Sequence, residues 1–129
     1  MNRDTLISYI KDMIRNGLNV LQDESYQRQV WFRQEIPGEV STYIDITVHF
    51  LSGCRSIFED PKCETRLGKE TYALLKQLYE QISSHVHLTE ARLDNIDDLQ
   101  EDDLLNDPKW HDIQSLARDV RIKLLDFLK

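Results

Sequence analysis

Residues 43–51 read Tyr-Ile-Asp-Ile-Thr-Val-His-Phe-Leu, and whether they form a strand or a helix decides the fold class. Ile44, Ile46, Val48 and Phe50 alternate with Asp45, Thr47 and His49. That is the period of two of a half-buried strand, and β-branched side chains suit a pleated surface. The same region carries a second pattern. Val40, Ile44, Val48 and Leu51 recur at helical spacing, Ser41 stands where it can cap a helix, and Gly53 stands where a helix ends on a left-handed residue. The absence of a pairing partner separates the two. No second alternating stretch exists in the chain, and a lone strand leaves its backbone N–H and C=O groups without hydrogen bonds. The stretch reads as a helix, and the chain as all-α.

The flanks agree. Leu6, Ile7, Ile10, Met13, Ile14, Leu18 and Leu21 fall three and four apart, which defines one helix face between Asp4 and Leu21, with Asp4 or Thr5 as its cap. Asp23 offers a cap for a shorter helix carrying Tyr26, Val30 and Trp31, which ends before the Pro37-Gly38 turn. Beyond the loop through Glu59, Asp60 and Pro61, a helix is predicted from about Gly68 to Val86, with Tyr72, Leu75, Leu78, Tyr79, Ile82 and Val86 along one side. A short helix is expected from about Glu101 to Asn106. Asp107-Pro108 is the clearest start signal, an Asp cap followed by a proline whose missing N–H is harmless at the first helical position. Trp110, Ile113, Leu116, Ala117, Val120, Leu124 and Phe127 then form the stripe of the last helix. With no internal repeat, the prediction is a single helical domain over 1–129, a bundle of five to six helices.

Composition bounds the function. The chain has 129 residues, 40% hydrophobic and 30% charged, enough for one core. Sixteen Lys and Arg against 23 Asp and Glu give a formal charge of −7, which opposes binding to a phosphate backbone. No apolar run approaches the roughly 18 residues of a membrane span, and the charges scattered through the first twenty residues are unlike a signal peptide. A cytoplasmic protein is expected. Cys54 and Cys63 could close a small loop, but without a secretion signal they read as free thiols.

The charge has a location. Between Glu90 and Asp107 lie eight carboxylates opposed only by Arg92, a net charge equal to that of the whole protein, and the rest of the chain is formally neutral. A solvated loop that also supplies carboxylates to helix N-termini explains such a run without any function. A calcium loop does not, because the segment has no Gly and its acids are interrupted by Ile96 and Leu99. Ile96, Leu99, Leu104 and Leu105 instead predict a segment that buries apolar side chains while its carboxylates face outward.

Catalytic signatures are scarce. There is no GxSxG, P-loop, GxGxxG or HExxH pattern. His85 and His87 diverge on a helix, Glu80 precedes His85 by five residues rather than the three of a di-iron ExxH pair, and Asp107 is better read as a cap than as a partner of His111. His49 reads as a core or partly exposed histidine. Arg28 and Arg33 flank Trp31 in a way that can stack on a nucleobase, but helical spacing from Tyr26 and Val30 assigns Trp31 to the core. A second reading remains open: a small enzyme or ligand-binding bundle with a pocket near Trp31, Tyr43, His49 and Cys54.

Residues 26–35, Tyr-Gln-Arg-Gln-Val-Trp-Phe-Arg-Gln-Glu, followed by Val40-Ser41-Thr42-Tyr43, Val48-His49-Phe50-Leu51, Asp60-Pro61 and Asp107-Pro108-Lys109-Trp110, resemble a family of small helical bacterial proteins. In size, acidity and lack of a catalytic set, the chain also resembles immunity proteins of bacterial toxin systems, including those of contact-dependent growth inhibition. That resemblance implies stoichiometric binding of a cognate toxin in the cytoplasm, with no turnover, cofactor or metal. Many such toxins are nucleases with basic clefts. An array of carboxylates can occupy a surface meant for phosphates and speed encounter by long-range attraction. Asp94, Asp97, Asp98, Glu101, Asp102 and Asp103 are the expected contacts.

Overall fold

In the computed structural model, which describes residues 1–129, the chain is helical throughout and contains no strand. The first helix, α1, is continuous in three parts: α-helical Arg3–Met13, a π-helical turn Ile14–Leu18 and α-helical Asn19–Leu21. Its cap is Asn2, whose side chain accepts the Thr5 N–H at 2.8 Å; the expected caps Asp4 and Thr5 lie inside the first turn. Helix α2 joins Glu24–Tyr26 to a second π-helical stretch, Gln27–Phe32, and is capped by Asp23 as predicted. The chain leaves α2 through Gln34, a non-glycine residue at φ 52°.

Helix α3 covers Tyr43–Phe58 and contains the whole ambiguous stretch. Its state was readable from sequence, but its details differ from the expectation. Thr42 rather than Ser41 caps it, accepting the Asp45 N–H at 3.2 Å. Gly53 does not end it. The buried stripe is Tyr43, Thr47, Phe50, Leu51, Cys54 and Ile57, while Val40 and Val48 of the expected stripe are exposed. Thr47 can occupy the core because its hydroxyl donates to the Tyr43 carbonyl at 2.7 Å, which hides its polarity within the helix.

Helix α4, Lys62–Leu67, lies between Pro61 and Gly68 and is not announced by the sequence pattern. Gly68, at φ 89°, makes the break before α5, Lys69–Arg92, which runs six residues beyond its expected end at Val86. A 3₁₀ turn at Ile96–Asp98 and the short α6, Glu101–Leu105, cross to α7, Pro108–Phe127. Asp107 caps α7 by accepting the Lys109 N–H at 2.9 Å, with Pro108 at the first position.

Helices α1, α3, α5 and α7 pack in a closed ring, each against the next, and α2, α4 and α6 brace it from outside. One continuous core takes side chains from all seven helices. The α1–α3 crossing is close because two glycines face it reciprocally. A Cβ on Gly17 would lie 3.2 Å from the Phe50 ring of α3, and a Cβ on Gly53 would lie 3.2 Å from Met13 of α1. Each glycine leaves the space that the opposite helix fills.

Buried Gln27 joins three helices. Its amide nitrogen donates to the Val20 and Leu21 carbonyls, each at 2.9 Å, at the end of α1, where the Val20 carbonyl also accepts the Asp23 N–H at 3.1 Å. Its carbonyl accepts the Trp110 indole N–H at 2.9 Å and the Gln114 amide at 3.0 Å, both from α7. All the polar capacity of this side chain is used. No helix is long and apolar enough to cross a membrane.

Candidate functional site

The acidic segment is a fixed ridge. The Asn95 side chain accepts the Asp97 N–H at 3.0 Å and starts the 3₁₀ turn, and Leu99, Leu104 and Leu105 are buried behind it. Asp94, Asp97, Asp98, Asp102 and Asp103 are exposed, as the sequence pattern predicts. None of the five belongs to an intramolecular ion pair. Glu101 differs from them. Arg33, at the C-terminal end of α2, grips both its oxygens, at 2.9 and 3.1 Å, and this guanidinium holds the Glu101 carboxyl below its ordinary pKa. Glu101, Asp102 and Asp103 also occupy the first turn of α6, where carboxylates complement the free N–H groups. Part of the acidity therefore serves the local fold.

Asp102 and Asp103 stand on one wall of a groove of about 520 Å³. Arg92, Asn106 and Lys109 also line it, and His85 lies at its base.

His85 belongs to a relay that spacing along the chain did not reveal. Asp107 Oδ2 lies 3.0 Å from His85 Nε2, and Tyr43 Oη lies 2.7 Å from His85 Nδ1. An ionised carboxylate can only accept, so Nε2 carries the proton, and the Tyr43 hydroxyl donates to the bare Nδ1. The relay links α3, α5 and the N-terminus of α7. Trp110 packs on both rings, with centroids 5.4 Å from Tyr43 and 5.1 Å from His85, and Trp31 closes on Tyr43 at 6.3 Å.

Burial determines how these groups ionise. It pushes the Tyr43 phenol up to about 12. Burial also lowers the His85 pKa, against the opposing pull of Asp107. At Asp107 burial works against ionisation, but the Lys109 N–H and His85 outweigh it and the carboxyl lies below its ordinary value. At neutral pH the relay is phenol, neutral imidazole and carboxylate. Both imidazole nitrogens are engaged, Nε2 with Asp107 and Nδ1 with Tyr43, and burial keeps the phenol protonated. The arrangement holds three helices together.

The four residues of the pocket reading are not brought together. Trp31 and Tyr43 meet, and Trp31 donates to Ser41 Oγ at 2.7 Å. His49 instead lies on the exposed side of α3, 2.7 Å from Asp12 of α1. Cys54 is fully buried among apolar side chains, and burial pushes its thiol pKa up. The histidine beside Tyr43 is His85. Both cysteines are free. His85 is buried and His87, two positions on, is exposed. No three His, Cys, Asp or Glu side chains converge on a point that would hold a metal ion.

No family model, curated protein or solved structure matches the chain.

Proposed function

We propose that this chain is an inhibitory binding protein of the immunity type, which neutralises a basic protein toxin by occupying its cleft. The observation that carries the reading is the set Asp94, Asp97, Asp98, Asp102 and Asp103, exposed and without intramolecular ion pairs on a backbone pinned by buried leucines. Carboxylates held in place lose little freedom when they meet Lys and Arg, and their summed field raises the encounter rate. A nuclease fits best, because its cleft already presents cations arranged for phosphates. In this reading the protein acts in the cytoplasm, without chemical turnover and without a cofactor. Glu101 contributes by holding α6 to Arg33 rather than by direct contact.

The test is expression together with the product of the adjoining upstream reading frame. Growth is expected to be restored and the two proteins to co-purify as a complex that weakens as salt is raised. Asp102→Asn combined with Asp103→Asn is expected to slow association and flatten the salt dependence. Unchanged affinity in that double variant would show that another face makes the contact.

A further inference from the structure

Leu88 is the large apolar side chain that α5 leaves uncovered, 52% exposed where Leu75, Leu78 and Ile82 of the same helix are fully buried. One exposed leucine on a flat surface is ordinary. Leu88 is set apart by what surrounds it, because it lines two adjoining grooves at once. One, of about 440 Å³, runs between α5 and α7 and has Glu80 and Asp112 on its walls. The other is the 520 Å³ groove bordered by Asp102 and Asp103. None of these four carboxylates has an intramolecular ion pair. The two grooves share His85, Leu88 and Lys109, so together they form a trough in which Leu88 is the exposed apolar side chain at the centre, with Glu80 and Asp112 toward one end and Asp102 and Asp103 toward the other.

We propose that this trough takes a basic amphipathic helix of the partner protein, with an apolar residue laid on Leu88. Lysine or arginine side chains on either side of that residue would reach Glu80 and Asp112 at one end and Asp102 and Asp103 at the other. The proposal rests on the acidic-surface reading above and names the element that the surface receives. The dimensions suit a helix, since Glu80 and Leu88 are roughly 12 Å apart along α5 at about 1.5 Å per residue. Lys109 lines both grooves next to Leu88, and Arg92 lines the second. These two cations repel a basic residue placed directly over the centre, which favours an apolar one there and sets the register. Covering Leu88 removes apolar surface from water at the middle of the contact, where truncations weaken binding most, and the outlying carboxylates mainly govern the rate of encounter.

The test uses the full chain with methyl-labelled leucine and a synthetic helical peptide of 18 residues, made of Lys and Leu with every Leu on one face. An isomer of the same composition with its leucines dispersed is the control. Saturable shifts of the Leu88 methyl signals are expected with the first peptide only. Leu88→Ser is expected to weaken that binding about tenfold or more, with unchanged circular dichroism because the side chain is half exposed. Asp97→Asn with Asp98→Asn is expected to change mainly the association rate and salt dependence. Equal binding of the two peptides, or full affinity in Leu88→Ser, would overturn the trough and leave the acidic surface standing alone. Failure of both peptides to bind would overturn the trough together with the acidic-surface reading.

Discussion

The carbonyl oxygen of Gln27 accepts the indole N–H of Trp110 at 2.9 Å, across 83 positions of sequence, while its amide nitrogen closes the end of α1. Gln27→Leu preserves approximate volume and removes every one of these bonds. The Trp110 and Gln114 donors and the Leu21 carbonyl then lose this partner in the interior, while the Val20 carbonyl keeps the Asp23 N–H. Each buried orphan costs about 1–3 kcal/mol, so a loss of about 3 kcal/mol or more is expected for the set, read from the urea midpoint. A loss below about 1 kcal/mol would mean that water enters and replaces the side chain.

Gly17 and Gly53 face the same helix crossing, yet alanine should act differently at the two positions. At Gly53 the new methyl meets Met13 Cγ, part of a flexible side chain that can change rotamer. At Gly17 it meets the edge of the fully buried Phe50 ring, which has little room to turn. Removing a helical glycine gains up to about 1 kcal/mol, and overpacking a core costs about 1–3 kcal/mol. Gly53→Ala is expected to be neutral or slightly stabilising and Gly17→Ala destabilising, measured as paired shifts of the unfolding midpoint. The reverse order would show that the Phe50 side yields more readily than the Met13 side.

These contacts also mark where the sequence stopped being readable. Asp107-Pro108 announced α7 because a cap and a first-turn proline act within three residues, and the local hydrogen bond is all that the signal requires. The helical state of residues 43–51 followed from the lack of a pairing strand. Its buried face did not, because Val40 and Val48 look more apolar than Thr47, whose hydroxyl is satisfied within its own turn. The outward carboxylates of residues 94–103 were readable from Ile96 and Leu99 among them and Leu104 and Leu105 after them. Gln27 and His85 were not, since a glutamine on a helix ordinarily reads as exposed and the His85 partners lie 42 and 22 positions away. Long-range polar contacts leave no local period to detect.

His85 makes stability depend on pH with a definite sign. Its pKa in the folded protein is lowered by burial, although Asp107 opposes the shift. The unfolded chain, with a histidine near 6.5, therefore binds more protons in mildly acidic solution than the folded one. Stability from this group is fully present above about pH 6.5 and declines as pH falls toward and through the lowered folded value. Asp107, also lowered, adds a further loss at more acidic pH, below its ordinary carboxylate value. Urea titrations from pH 7.5 downward are expected to show the first decline, and His85→Gln to remove it. Tyr43→Phe takes away the hydroxyl that donates to the unprotonated Nδ1, so the His85 pKa is expected to rise toward its ordinary value. That rise is measurable from the ring proton shifts, and an unchanged pKa would mean that burial alone sets it.

Cys54 is expected to be chemically silent in the folded protein. The thiol is fully buried on α3, and burial pushes its pKa up, so the thiolate that reacts with disulfide reagents is scarce. Cys63 is buried on α4, and its pKa is also raised, first by burial and then by the nearby Asp60. The two sites differ in how they can open. Cys54 lies in a helix of the ring, whereas Cys63 lies in a short brace at the periphery, which local unfolding can release at a smaller free-energy cost. Labelling with an aromatic disulfide reagent at neutral pH is expected to modify Cys63 first and Cys54 only at the rate of global unfolding, with both reacting rapidly in urea. The single variants Cys54→Ala and Cys63→Ala assign the two phases. Fast labelling of Cys54 without denaturant would require an open path into the centre of the helical ring.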